Sequence, residues 1–177
     1  NELNLPAEIS HGQNKISYIY SADGEKLAQQ VAGSSSTYYR GVMIYNGDML
    51  DCIFHPSGVT RKVNNGYVYD YFLADHLGST RVVLEASASA LTPIQTTEYY
   101  PFGLAFTYNN LNKNKQLFSG KELQDAELAK EIVGWYDFGS RFYDPVVARW
   151  FCQDPASQLT SPYVYCGNNP VAFVDPD

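Results

Sequence analysis

Residues 37–55 read Thr37-Tyr38-Tyr39-Arg40-Gly41-Val42-Met43-Ile44-Tyr45-Asn46-Gly47-Asp48-Met49-Leu50-Asp51-Cys52-Ile53-Phe54-His55. The run from Thr37 to Tyr45 is rich in aromatic and β-branched side chains, which suit a pleated, half-buried surface, and reads as a strand. Asn46-Gly47 is the pair that closes a tight hairpin, because such turns need positive φ at their central positions. Leu50 to His55 then returns as the mate. The same punctuation recurs on both sides. Ile16, Tyr18 and Tyr20 alternate with polar neighbours, the period of a half-buried strand. Asp23-Gly24 turns the chain, Leu27 to Val31 comes back, and Gly33 to Ser36 is a small-residue connector. Pro56-Ser57-Gly58 and Asn64-Asn65-Gly66 turn it again, and Tyr67, Tyr69 and Tyr71 share one face of the next strand. Arg81 to Glu85 and Thr96 to Tyr100 make a further pair, joined by the loop from Ala86 to Thr92. Turns at this spacing set strands beside their sequence neighbours, so the expected class is mostly β, an antiparallel meander.

One short helix is expected near 122–133. Ser119 precedes Glu122 at the spacing of a capping box, Glu122 to Val133 is rich in helix formers, and Gly134 stands where a C′ glycine belongs. Leu128/Ile132 and Ala129/Val133 would then be i,i+4 pairs facing a core. Trp135, Tyr136, Phe142, Tyr143, Trp150 and Phe151 follow, and their density predicts one shared buried core.

The bulk composition narrows the function. The 177 residues suffice for one good core, and the 45% hydrophobic content says that it forms. Only 18% of residues are charged, while Tyr outnumbers Met 15 to 2, a balance suited to extended β structure with a wet tyrosine face. Net charge is −7 and the Lys and Arg residues form no stripe, which argues against nucleic acid and anionic membrane surfaces. No apolar run is long enough to span a bilayer. The start, Asn1-Glu2-Leu3-Asn4, lacks the basic and apolar regions of a leader, so the expectation is a piece of a longer polypeptide with its targeting signal elsewhere. Cys52, Cys152 and Cys166 cannot complete a disulfide framework. They read as buried free thiols, with a Cys152–Cys166 bridge as the alternative. No C-x-x-C or histidine cluster suggests a metal, and no cofactor is expected.

The chemistry concentrates in three Asp-Pro steps, Asp144-Pro145, Asp154-Pro155 and Asp175-Pro176. Each Pro fixes its own φ and pushes the preceding Asp to an extended backbone. Two readings are open. Asp before Pro starts turns. Two such carboxylates can also be held in register for bond cleavage, one activating a water while the other protonates a leaving nitrogen. Arg149 is a candidate to orient one of them by a bidentate contact. His76 reads either as a base or as a structural histidine in a turn, with Asp75 bonding backbone groups around Gly78. Arg81 and Arg141 read as grips for carbohydrate or anions, or as salt-bridge residues within the sheet. The tyrosine faces read as sugar-stacking platforms or as cross-strand ladders.

Read in order, these segments resemble a known family. Ile16 to Leu27 is similar to the YD repeat of rearrangement-hotspot (RHS) proteins and teneurins. Asp75-His76-Leu77-Gly78-Ser79-Thr80-Arg81, Tyr99-Tyr100-Pro101-Phe102-Gly103 and Ser119-Gly120-Lys121-Glu122 resemble further motifs of that family. So do Trp135-Tyr136-Asp137-Phe138-Gly139-Ser140-Arg141-Phe142-Tyr143-Asp144-Pro145, Arg149-Trp150, Asp154-Pro155, Asn168-Asn169-Pro170 and Asp175-Pro176, which resemble the RHS repeat-associated core. The resemblance implies YD-repeat-like strands over residues 1–105 and the C-terminal core segment over 106–177. It implies a hollow β-shell closed by that core, enclosing a C-terminal toxin that an aspartyl autoprotease frees, and it maps the two acids to Asp154 and Asp175. The implied partners are the remainder of the shell and the toxin, and the implied setting is a secreted or cell-surface bacterial protein. The chain departs from the pattern at Ser157, where glycine is expected, in the insert Asp125 to Val133, and in stopping at Asp177, short of the usual scissile bond. The rival expectation is a non-catalytic surface or wall-associated β-module that binds glycan or a partner protein.

Overall fold

The computed structural model describes residues 1–109, 113–128 and 131–175, with only the backbone for 107–109, 127–128 and 131–132. Eleven strands form one sheet in strict chain order: β1 (Glu8–His11), β2 (Asn14–Tyr20), β3 (Lys26–Val31), β4 (Thr37–Arg40), β5 (Met43–Asn46), β6 (Met49–His55), β7 (Gly58–Val63), β8 (Gly66–Ala74), β9 (Thr80–Ala86), β10 (Leu91–Tyr99) and β11 (Ala105–Asn109). Every pairing is antiparallel between sequence neighbours. The protein is thus mostly antiparallel β with almost no helix, as the turn spacing predicts.

Thr37 to Tyr45 is two strands and not one. Arg40 pairs with Met43 across a two-residue turn in which Gly41 takes φ +59°. Gly58 is the tightest glycine in the sheet. A Cβ there would lie 2.0 Å from the Asp70 carbonyl oxygen, so only glycine lets β7 approach β8 at this point.

A second sheet, ordered β12 (Glu122–Gln124), β15 (Trp135–Asp137), β16 (Phe142–Asp144) and β17 (Arg149–Trp150), is flanked by a two-stranded hairpin of β13 (Glu127–Leu128) and β14 (Glu131–Ile132). This overturns the helix expected near 122–133. Ser119 does not cap a helix: it sits at φ +51°, followed by Gly120 at +68°, in a single tight turn, Phe118–Gly120. Glu122, Leu123 and Gln124 pair with Asp137, Tyr136 and Trp135, and tertiary pairing outweighs helix propensity. Ala129, one member of the expected i,i+4 pairs, lies outside the described residues.

The second sheet docks on the face of the first that carries Tyr18, Lys26 and Tyr39. Tyr18 donates to Gln124 Oε1 across 106 residues of sequence (3.3 Å). Lys26 Nζ meets Glu122 (2.6 Å) and Asp137 (2.7 Å), and Tyr39 donates to Glu122 Oε1 (2.9 Å). Burial works against the Lys26 charge, but Glu122 and Asp137 together outweigh it and raise its pKa.

The aromatic cluster splits into two cores. Tyr136, Tyr143 and Trp150 pack with Tyr99, Leu117, Phe118, Phe138 and Tyr165. Phe142 turns to the other side of β16 and joins Leu5, Ile16 and Tyr18 at the junction with the first sheet. Successive side chains on a strand point to opposite faces, so Phe142 and Tyr143 cannot share one core. Trp135 is partly buried against this second core, and the Phe151 ring, in a residue 48% exposed, meets it in a tilted contact at 4.1 Å. Gly103 completes the larger core. Its φ is +89°, and a Cβ there would fall 2.5 Å from the Phe118 ring. The Tyr136 and Tyr143 hydroxyls donate to the carbonyls of Gly103 (3.2 Å) and Phe102 (2.9 Å).

Candidate functional site

The three Asp-Pro steps fold differently. Asp144 accepts from the backbone N–H groups of Val146 (2.8 Å) and Val147 (3.3 Å), so it starts the turn between β16 and β17 and nothing more. Asp154 also organises a turn: its carboxylate accepts from the N–H groups of Ala156 (3.1 Å) and Gln158 (3.2 Å), and its own N–H donates to Pro162 O (2.9 Å). Unlike Asp144, it has a second engagement. Arg141 Nη1 lies 3.4 Å from Asp154 Oδ1, while Arg141 Nη2 donates to Asp175 Oδ2 at 3.1 Å. One guanidinium therefore gathers two carboxylates that are 21 positions apart in the chain.

Arg141 is fixed before it meets either acid. It closes the turn between β15 and β16, where its carbonyl accepts from Phe138 N–H (3.0 Å). Its guanidinium carbon lies 4.0 Å from the Trp150 ring centroid, a cation–π contact on the core face of β17. The residue is only 7% exposed, so its charge is set in a partly desolvated site where a counter-charge counts for more than in water. The N–H of Gln158, then that of Ala156 and the Arg141 guanidinium, outweigh the partial desolvation of Asp154 and hold its carboxyl below the usual range.

Among the described residues the Arg149 guanidinium pairs with neither Asp154 nor Asp175. Its Nη1 donates to Ala148 O (2.8 Å) and to Asn168 Oδ1 (3.2 Å). Arg141 is the arginine that meets both carboxylates, a residue the sequence offers only as an anion grip or a salt-bridge residue. The available signal was its place beside Gly139 and Ser140 in the segment between the two aromatic strands.

A cavity of about 460 Å³ opens beside the two acids, with Leu159, Val164, Phe173 and Val174 supplying apolar walls. Ser157, beside it, sits at φ +50°. Cys152 and Cys166 are free and half-buried, and Cys52 is free and buried, its thiol pushed up to about 12 by desolvation. No group of residues that could hold a metal ion occurs among the described residues.

No family model matches the chain. It is 33% identical over 128 residues to Salivary gland surface protein 1 of Aedes aegypti, covering 71% of this chain and 4% of that protein. It is 31% identical over 126 residues to toxin subunit YenC1 of Yersinia entomophaga, covering 67% of this chain and 12% of that protein. Its fold matches the crystal structure of TcdB2-TccC3-TEV with a TM-score of 0.70 at 24% identity, over 94% of this chain and 9% of that one. The chain therefore spans about an eighth or less of each relative's length. It is similar in sequence to a toxin subunit and shares the antiparallel β architecture of Tc toxin structures. Among the described residues no helix is long and apolar enough to cross a membrane.

Proposed function

We propose that the chain is a C-terminal core segment of an RHS-type toxin protein. In this reading residues 1–105 contribute strands to a β-shell, and residues 106–177 close it and set Asp154 and Asp175 for autoproteolytic release of a following toxin domain. The parent protein would act outside the cell that makes it, secreted or at the surface, with the rest of the shell and the toxin as its partners. The single observation that carries the reading is the gathering of both carboxylates on Arg141, beside an open cavity.

The chemistry follows from two carboxyl groups brought to one guanidinium. Asp154, held ionised by two backbone N–H groups and Arg141, is the base that takes a proton from water as its oxygen adds to the scissile carbonyl. That proton, passed between the two acids, goes on to the departing amide nitrogen, so the acyl carbon gains OH and the amine gains H. Arg141 fixes the spacing and disperses the charge that two close carboxylates would otherwise concentrate.

The test uses the chain extended past Asp177 into its native continuation. The wild type is expected to cut itself downstream of Asp175. Asp154→Asn and Asp175→Asn should each slow the cut by about a hundredfold or more while circular dichroism stays unchanged, because the amide keeps the size but cannot move the proton. An uncut wild type sinks autoproteolysis, and a cut equally fast in both variants assigns it to Asp-Pro lability.

A specific observation favours one rival. Tyr67, Tyr69 and Tyr71 stand in line on β8, 56%, 52% and 38% exposed, an aromatic row suited to stacking on a glycan. A non-catalytic glycan-binding module would bind saccharide through this row and lose that binding in Tyr69→Ala.

A further inference from the structure

The Asp75–Arg81 turn between β8 and β9 lies far in sequence from both aspartates, yet it reaches the segment that leads to one of them. Asp75 makes it rigid. Its Oδ1 accepts from the N–H groups of Leu77 and Ser79 (3.0 Å each), and its Oδ2 accepts from Arg81 Nε (2.9 Å). Asp75 N–H in turn donates to Ser79 O (2.9 Å). A turn closed this many times holds its side chains in fixed directions.

Two threads leave it toward the segment that ends at Asp175. The first runs through the core. Ser79 Oγ accepts from Ser119 N–H (3.0 Å), and Ser119 Oγ meets the hydroxyl of Tyr165 (3.3 Å), the residue before Cys166 on the lining of the aspartate cavity. The second is direct. His76 Nε2 lies 3.1 Å from Val171 O, joining residues 95 positions apart. A carbonyl can only accept, so the ring presents Nε2–H to it. Val171 stands in the turn closed by the N–H groups of Ala172 and Phe173 on Asn169 O (3.3 and 3.2 Å), two residues before the apolar wall of the aspartate cavity.

We propose that His76 is a positioning residue for Asp175: by donating to Val171 O it pins the Asn169–Phe173 turn and so sets where the Asp175 carboxylate meets Arg141. The proposal rests on the autoproteolytic reading for its catalytic consequence, but not for the contact itself. The benefit is geometric. Asp175 follows a single turn at the end of the described chain, and a misplacement of about 1 Å is enough to degrade proton transfer.

Two measurements test it. In the 177-residue chain, amide hydrogen exchange at Ala172 to Asp175 should quicken in His76→Ala and return toward wild type in His76→Gln, whose Nε2 donor occupies a similar place. In the chain extended past Asp177, His76→Ala should cut about tenfold more slowly, with His76→Gln restoring most of the rate. A structural role for the imidazole ring alone would not be rescued by glutamine, so His76→Gln behaving like His76→Ala overturns the proposal. So does exchange in His76→Ala indistinguishable from wild type. If the extended wild type does not cut, the autoproteolytic reading falls, and the exchange result still decides whether His76 pins the segment.

Discussion

Ser157 occupies the left-handed region, φ +50°, at the position where the family resemblance expects glycine. A side chain there costs about 1–2 kcal/mol in backbone strain, offset in part by the looser unfolded state that glycine brings. Its hydroxyl adds only a long contact to Asp154 O at 3.4 Å. Ser157→Gly should therefore raise stability by about 0.5–1 kcal/mol in urea unfolding. A loss would show that the hydroxyl contact outweighs the strain. The same position shows what sequence reading can reach: the departure at Ser157 was visible, and its backbone conformation gives the physical reason glycine suits the site. Arg141 shows what it cannot. Nothing in residue order says that its fork lies between acids from two later segments, because that depends on Trp150 holding the guanidinium from below.

At the scale of elements, legibility followed the turns. Gly47, Asn64 and Gly78 take the positive φ values of 59°, 52° and 81° that their types favour, and most strands lie between such signals, except that Gly41 splits Thr37 to Tyr45 in two and β10 begins at Leu91, inside the expected 86–92 loop. The Glu122 to Val133 segment failed because its decisive partners are remote. Glu122 is recruited by Lys26 and Tyr39, and β12 by β15, none of which a local window contains. This junction predicts its own sensitivity. Lys26 is 9% exposed with two carboxylates upon it, at 13% and 8%. Lys26→Met strands both acids at the sheet interface and should cost about 3–5 kcal/mol in chemical denaturation. Adding Glu122→Gln and Asp137→Asn should recover a good part of that loss. Equal instability of the triple variant would mean that the lysine matters through its stem and not its charge.

The whole molecule is a tyrosine-rich stack whose hydroxyls are unequally placed. Desolvation pushes Tyr18, Tyr20, Tyr39, Tyr99, Tyr136, Tyr143 and Tyr165 well above the ordinary phenol range. A raised pKa favours the neutral folded form. The contribution is therefore whole below the unfolded tyrosine pKa of about 10 and declines as pH climbs beyond it. An alkaline titration followed by tyrosinate absorbance should show a late group of tyrosines that ionises only as the β circular-dichroism signal collapses. Ionisation of all 15 tyrosines before that collapse would contradict the buried placement.

The meander also settles what each part of the chain needs from the rest. Every strand of the first sheet, from β1 to β11, finds its hydrogen-bond partners one turn away, so each pairing closes only a short loop and its entropic cost comes in small steps. A ribosome or a secretion channel that delivers the chain from its amino end therefore presents the strand-to-strand pairings of this sheet once Asn109 has emerged, while the Thr80 N–H waits for Leu117 O. The Lys26 junction is the opposite case: its lysine is delivered early, and its carboxylates arrive 96 and 111 positions later. Until then that lysine lacks both acids, and the meeting of carboxylates on Arg141 comes later still, because Asp175 follows Asp137 by 38 positions.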